Sequence, residues 1–530
     1  MVMAMRFEVT DFAPKIPGNS NPTLTKRLFN ADLALIDGQG IARPYLAESL
    51  PELNTDTWRL LSDGGMETTY KLRDGLTFHD GHPLTADDFV FAWRMYTAPG
   101  ISIFSPAPLD RVESVTAPDP RTLVIRWRGL YPEANALKDG DLTPLPTHLL
   151  QSTLQAYLDD PATQPAFVNH PYWTNDYVGA GPYKLDTWDR GTRIEGSAFA
   201  GHALGKPKID RVIVQLIQDE NAALAAIMAG TIHYSPNQAV RLEHALILQR
   251  DWVPGGKGSV MMRRSSTVVQ HAQFRPEFLD TPALLDLRVR KAIAHGIDRA
   301  AISEAVFSGQ GAMTETLVPD SDPSYAEVDR ATEKYPFDLR MAERFMTDAG
   351  FSKDRDGMLV NPSGERFSPE LRVTASVEFE RAQTVLAATW KEAGMDFRTS
   401  VLPAAQARNP EARHNFPGLL TRVTTNGERR WHVFAGSEIG APANRWTGEN
   451  RSGWSNAEYD RLLESYQTTL DRAERNRQAT RMVNILTREV AMIPTYHILF
   501  PNVLVANLHG PELGTTETLD YWNIYDWEFR

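Results

Sequence analysis

The stretch IDRVIVQLIQDENAALAAIMAGTIHYSP, residues 209–236, decides the class of fold. IDRVIVQLIQ (209–218) is an apolar run of strand length, rich in β-branched residues, and reads as a buried strand. Asp219 follows where a carboxylate can accept an orphan amide N–H and cap a helix, ENAALAAIMAG. Gly230 is a natural stop for that helix, and TIHYSP returns as a second strand. A β-α-β unit of this kind belongs to an α/β lobe.

Outward from there, strand and helix patterns mix along the chain. Asp286 can cap LRVRKAIAHGI, and Asp298 can cap RAAISEAVF, which ends at Gly309. Asp338 opens LRMAERFMTDAG, whose Ala342, Phe345, Met346 and Ala349 fall at core-face spacing, with Gly350 and Phe351 as stop and clasp. Ser455 and Glu458 read as a capping box before Tyr459, Leu462, Leu463 and Tyr466. Asp471 begins a long helix expected to end near Ile493-Pro494. His295, inside one of these helices, reads as a packing or solvent-facing residue.

The densest local chemistry lies in YKLRDGLTFHDGHPLTADDFVFAW, residues 70–93. YKLR (70–73) and LTFH (76–79) read as strands, and Asp74-Gly75 and Asp80-Gly81 as turns that need φ > 0. Thr85 and Asp88 suit a capping box, with Phe89, Val90 and Trp93 as the apolar face of the helix that follows. His79 and His82 are near enough to share a metal, but no third ligand stands at a zinc spacing, so the segment reads as scaffolding.

Composition removes whole classes of function. With a formal charge of −12 and no long basic run, a nucleic-acid surface is not expected. No cysteine is present, which excludes disulfides, thiolate nucleophiles and Cys-based zinc sites. The most apolar window, ALAAIMAG (223–230), is too short to cross a bilayer, and the first residues lack the basic-then-apolar order of a signal peptide. No G-x-S-x-G, H-E-x-x-H or Walker A motif occurs, and Gly179-Ala-Gly181 stops short of G-x-G-x-x-G. No motif of an enzyme is therefore found, and neither a cofactor nor a bound metal is expected.

In order along the chain, PYLAESL (44–50), the 70–93 stretch, YVGAGPYKLDTWDRGTRIE (177–195), the 209–230 unit, LDLRVRKAIAHGIDRAAISEAVFSGQG (285–311), YPFDLRMAERFMTDAGF (335–351) and NRSGWSNAEYDRLL (450–463) resemble the family 5 extracellular solute-binding proteins, the peptide- and nickel-type receptors of ABC importers. The resemblance implies a class II periplasmic-binding-protein fold, α/β, with two lobes, a ligand cleft and an extra domain. It places a discontinuous lobe at 1–45, 180–262 and 499–530, the extra domain at 46–179 and the second lobe at 263–498. It implies a periplasmic or extracellular monomer that captures a peptide-like or anionic, polar solute by hinge closure and delivers it to ABC importer permease subunits. A sensor or chaperone-like receptor of the same fold is the alternative.

The expected ligand site is RVTTNGERRWHVFAGSEIGAPANRWTGENRSGWSN, residues 422–456, where arginines and tryptophans concentrate. Arginine offers a forked donor to carboxylate or phosphate, and tryptophan a stacking surface. The candidates are Arg422, Thr425, Asn426, Arg429, Arg430, Trp431, His432, Arg445 and Trp446. Arg451 and Trp454, in NRSGWSN, read instead as part of a structural turn. Peptide-binding relatives carry an Asp in this region to hold the α-ammonium group; here TTNGERRWHVFAGSEIGAP has none, although Glu428 or Glu438 stands nearby.

Overall fold

The computed structural model describes residues 1–13, 15, 27–101, 107–236, 239–403, 405–424 and 429–515 with 518–530, the side chain of Arg429 excepted. The chain forms two compact units, Met1–Arg263 with Phe500–Arg530, and Arg264–Leu499. It passes from one to the other inside two long strands, Gly258–Ala272 and Ile493–Val505.

In the first unit the strand Arg211–Leu216, the helix Glu220–Met228 and the strand Tyr234–Ser235 form the expected β-α-β crossover. Asp219 caps the helix by accepting from the amide of Ala222 at 2.8 Å, and Gly230 ends it at φ 74°. The N-terminal strand Val2–Met5 lies between the two crossover strands and pairs with both in parallel. The antiparallel strands Arg193–Ala198 and Tyr183–Asp189 extend the sheet beyond Arg211–Leu216. A separate four-stranded antiparallel sheet orders Trp58–Leu60, Met66–Lys71, Thr122–Trp127 and Val112–Asp119.

The 70–93 segment follows its turn chemistry more closely than its strand pattern. Gly75 and Gly81 take φ of 67° and 87°, and Asp88 Oδ2 accepts from the Thr85 amide at 2.9 Å ahead of the helix Ala86–Tyr96. LTFH, expected as a strand, makes only an isolated bridge, Thr77 to Pro83, because the Phe78–His82 turn closes immediately beyond it. The helix buries Phe89, Phe91, Ala92, Met95 and Tyr96, while Val90 and Trp93, expected inside, stay half-buried.

His79 is buried between two loops. Its Nδ1 accepts from the Gly179 amide at 3.2 Å, so its Nε2 carries the proton donated to the Gly181 carbonyl at 3.0 Å. Burial brings its pKa down to about 4, and the ring is neutral. A Cβ on Gly179 would meet Phe29 O at 2.0 Å, and one on Gly181 the Asn30 amide nitrogen at 2.5 Å. These glycines let two backbones touch; they do not cradle a phosphate. His82 faces outward and stacks on His148, whose Nε2 lies 2.7 Å from Asp80 Oδ2. No group of three metal-ligating side chains occurs among the described residues.

His79→Ala is expected to lower stability by roughly 1–3 kcal/mol through two orphaned partners, and to leave solute affinity unchanged. His82→Ala is expected to change neither. Thermal melts and elemental analysis check this, and loss of a stoichiometric metal together with affinity would refute it.

In the second unit Arg398–Leu402, Glu370–Thr374, Leu419–Val423 and Gly258–Ala272 lie side by side. Helices Leu287–His295, Arg299–Phe307 and Leu339–Asp348 are capped by Asp286, Asp298 and Asp338 as expected. Two boundaries differ. The cap of Ala457–Tyr466 is Asn456, whose Oδ1 accepts from the Glu458 and Tyr459 amides, rather than Ser455. The helix begun by Asp471 ends at Arg488, and Ile493 already opens a strand. His295 packs: its Nδ1 meets the Pro336 carbonyl at 2.8 Å and its ring stacks on Phe345. Among the described residues no helix is long and apolar enough to cross a membrane.

Candidate functional site

The strand LLTRV, Leu419–Val423, is buried along nearly its whole length, and Arg422 is its one charged residue. In the antiparallel pairing with Gly258–Ala272, Arg422 stands opposite Val269, and His271 opposite Leu420. Residues two apart share a sheet face, so Arg422 and His271 are diagonal neighbours on one face. The same face carries Val269 into the core of the second unit, against Phe434, on whose ring His271 stacks at 5.7 Å.

Arg422 donates through Nη1 to the Glu449 carbonyl at 2.7 Å. Burial, partly offset by the Glu449 charge and reinforced by Arg413, brings its pKa down to about 10. Arg451 is brought down to about 9 by burial, then by repulsion from Arg422 and Arg413. His271 is held well below the usual imidazole range by burial, then by the charges of Arg422 and Arg451. Both of its ring nitrogens are buried without a hydrogen-bond partner, as is the Arg413 Nε. Three guanidiniums and a neutral imidazole thus converge from a strand, a neighbouring strand, the short helix Pro410–His414 and the loop after Glu449.

Arg275 positions these loops. Its Nη2 donates to the carbonyls of His414 at 2.7 Å and Arg451 at 3.2 Å, and its Nη1 to Gly440 O at 2.9 Å. Gln273 Nε2 donates to the carbonyls of His414 and Phe416, both at 3.0 Å. Buried Asn450 spends its amide on the carbonyls of Phe434, Ala435 and Trp454, and its Oδ1 accepts from Ser452 and Gly453. NRSGWSN is therefore the structural turn expected of it, with one exception. Among the described residues the Arg451 guanidinium makes no hydrogen bond or ion pair, and it feels the like charges of Arg422 and Arg413.

The other sequence candidates separate into different surroundings. Arg430 is buried and paired with buried Asp322 at 2.7 Å. Trp431 is 3% exposed, inside the core formed with Trp454, Tyr459 and Met482, and its carbonyl accepts from the Tyr459 hydroxyl at 2.6 Å. His432 Nε2 lies 3.0 Å from Glu438 Oε1. Arg445 is exposed and Trp446 half-buried, two successive non-glycine residues at φ 54° and 60°. The Trp446 ring packs beside Phe278 and His414, with the Arg275 guanidinium 5.7 Å from its centre. Thr425, Asn426 and the Arg429 side chain lie outside the described residues, as does Glu428.

Sequence reading missed His271 and Arg413 and set Arg451 aside. A histidine in the segment VVQHA (268–272) was the available signal, but nothing local joins it to arginines far along the chain.

A family model for bacterial extracellular solute-binding proteins, family 5 Middle, matches residues 42–434. The chain belongs to this family.

Among its relatives, the oligopeptide-binding protein AppA of Bacillus subtilis is 22% identical over 520 residues, 96% of this chain and 89% of that protein. The glutathione-binding protein GsiB of Shigella flexneri is 26% identical over 506 residues, 92% of this chain and 87% of the relative. Among solved structures, NikA from Brucella suis in complex with Fe(III)-EDTA gives a TM-score of 0.78 at 17% identity, covering 100% of this chain and 99% of that one. NikZ from Campylobacter jejuni in complex with Ni(L-His) gives 0.75 at 20% identity, with coverage of 100% and 99%. The family 5 chain therefore has the α/β periplasmic-binding-protein fold, and the family consists of solute-binding proteins.

Proposed function

We propose that this family 5 protein captures an organic solute, peptide-like or anionic and polar, and delivers it to the permease subunits of an ABC importer. The observation that carries this reading is the family match across residues 42–434, supported by relatives named for oligopeptide and glutathione binding. The protein acts in the periplasm or outside the cell, as a monomer, and closes its two units on the solute. The two strands in which the chain passes between units suit a hinge. Arg422, Arg445 and Trp446, with Thr425, Asn426 and Arg429, remain the sequence candidates for contact. Arg430, Trp431 and His432 already have partners within the fold, which argues for structural roles. With no Asp between Thr424 and Pro442, a peptide held through its α-ammonium group is disfavoured.

Native mass spectrometry of the freshly purified protein identifies a retained solute, and calorimetry with that solute is expected to show one-to-one binding without turnover. Solution scattering is expected to show a smaller radius of gyration on saturation. A radius that stays the same refutes closure, and turnover of the solute refutes a pure carrier.

A further inference from the structure

The turn NRSGWSN contains a charge that the fold does not use. Asn450, Ser452, Gly453 and Trp454 all spend their polar atoms on holding the loop, yet the guanidinium of partly buried Arg451 has no hydrogen bond or ion pair among the described residues. Its charge is set instead against those of two other guanidiniums, Arg422 and Arg413, which repel it. Arg422 itself donates only to neutral carbonyls among the described residues, those of Glu449 and, at 3.4 Å, Val423. Buried like charges are costly without a counter-charge. Among the described residues the one carboxylate acting on Arg422 and Arg451 is Glu449, one charge against three.

A second observation points the same way. His271 is 2% exposed, and neither of its ring nitrogens has a hydrogen-bond partner. Buried polar groups in folded proteins are nearly always bonded, and an imidazole left with both nitrogens idle beside guanidiniums calls for an acceptor that enters from outside the chain. The Arg413 Nε is idle and buried in the same way. A planar fork on each arginine matches the geometry of carboxylate or phosphate oxygens.

We propose that Arg413, Arg422, Arg451 and His271 form an oxyanion site in the second unit, which takes a carboxylate or phosphate group of the solute. This rests on the solute-binding reading and narrows it to solutes that bear such a group. Arg451 is the informative residue, since its side chain has no bond among the described residues to lose.

The test is calorimetry and thermal melting with succinate, inorganic phosphate and the neutral succinamide as probes. Succinate or phosphate is expected to bind saturably and raise Tm, and succinamide is not; the anion that binds distinguishes the carboxylate from the phosphate source. Arg451→Gln is expected to weaken that anion roughly ten- to a hundred-fold. The unliganded Arg451→Gln protein is expected to melt no lower than wild type, because a repelled charge is gone. Failure of both anions to bind wild type at millimolar concentration overturns the proposal, and so does a lower melt of the unliganded variant, which makes Arg451 structural. A solute retained from the cell whose affinity survives Arg451→Gln overturns the oxyanion site and leaves the solute-binding reading standing. Binding of no solute of any class defeats that reading itself.

Discussion

Stability is expected to fall steeply as pH drops from 6.5 to 4. His79, His202 and His497 are all buried and all brought down to a pKa of about 4, in each case first by burial. Each is wired as a neutral ring. His202 Nδ1 donates to the Gly205 carbonyl at 2.9 Å, and its Nε2 then accepts from the Tyr45 hydroxyl at 2.8 Å. His497 Nδ1 lies 3.1 Å from the Thr267 hydroxyl. In the unfolded chain a histidine titrates near 6.5. Between the two values the unfolded state binds protons that the native state refuses, so the native state loses ground as pH falls and gains nothing further above neutrality. Each ring contributes about 1.4 kcal/mol per pH unit inside the window, roughly 3 kcal/mol in all. Carboxylates held low by their partners, such as Asp322 and Asp320, begin to cost stability only at the acid end of this range. Urea midpoints at pH 7, 6 and 5 should therefore decline with a slope of several protons. A flat profile down to pH 4.5 would show that these rings are not held neutral.

The second large effect is at Trp431. Its ring lies in the core of the second unit, and Trp431→Ala is expected to cost about 3–5 kcal/mol. Trp446→Ala, at a half-buried ring packed on Arg275, Phe278 and His414, is expected to cost about 1 kcal/mol or less of stability, in line with its smaller buried area. The comparison separates two tryptophans that sequence treats alike. If Trp431→Ala melts like wild type but loses solute, its role is in contact with ligand and the packing argument fails. Chemical denaturation of both variants, beside calorimetry with the retained solute, decides between these outcomes.

How much of this was legible beforehand follows from the range of the forces involved. The β-α-β unit, the caps at Asp219, Asp286, Asp298, Asp338 and Asp471, and the left-handed glycines at 75 and 81 depend on residues within a few positions of one another. Such signals are complete in the sequence. LTFH alternates like a strand and has no ladder, because a strand also needs a partner, and the turn at Phe78–His82 supplies only a bridge. Ser455 and Asn456 both suit a cap, and only the backbone path chose between them.

The site divides along the same line. Arg422 was expected from the concentration of arginines and tryptophans in residues 422–456. Arg430 and Trp431 looked equivalent to it, and their difference arises from Asp322 and from the core around Tyr459, both distant in sequence. Local propensity and capping thus determined the α/β class and most helix starts, while burial and long-range charge decided which arginines find partners within the fold. The physical reason is that a cap is satisfied within one turn of chain, whereas a buried charge is judged by every group that folding brings around it.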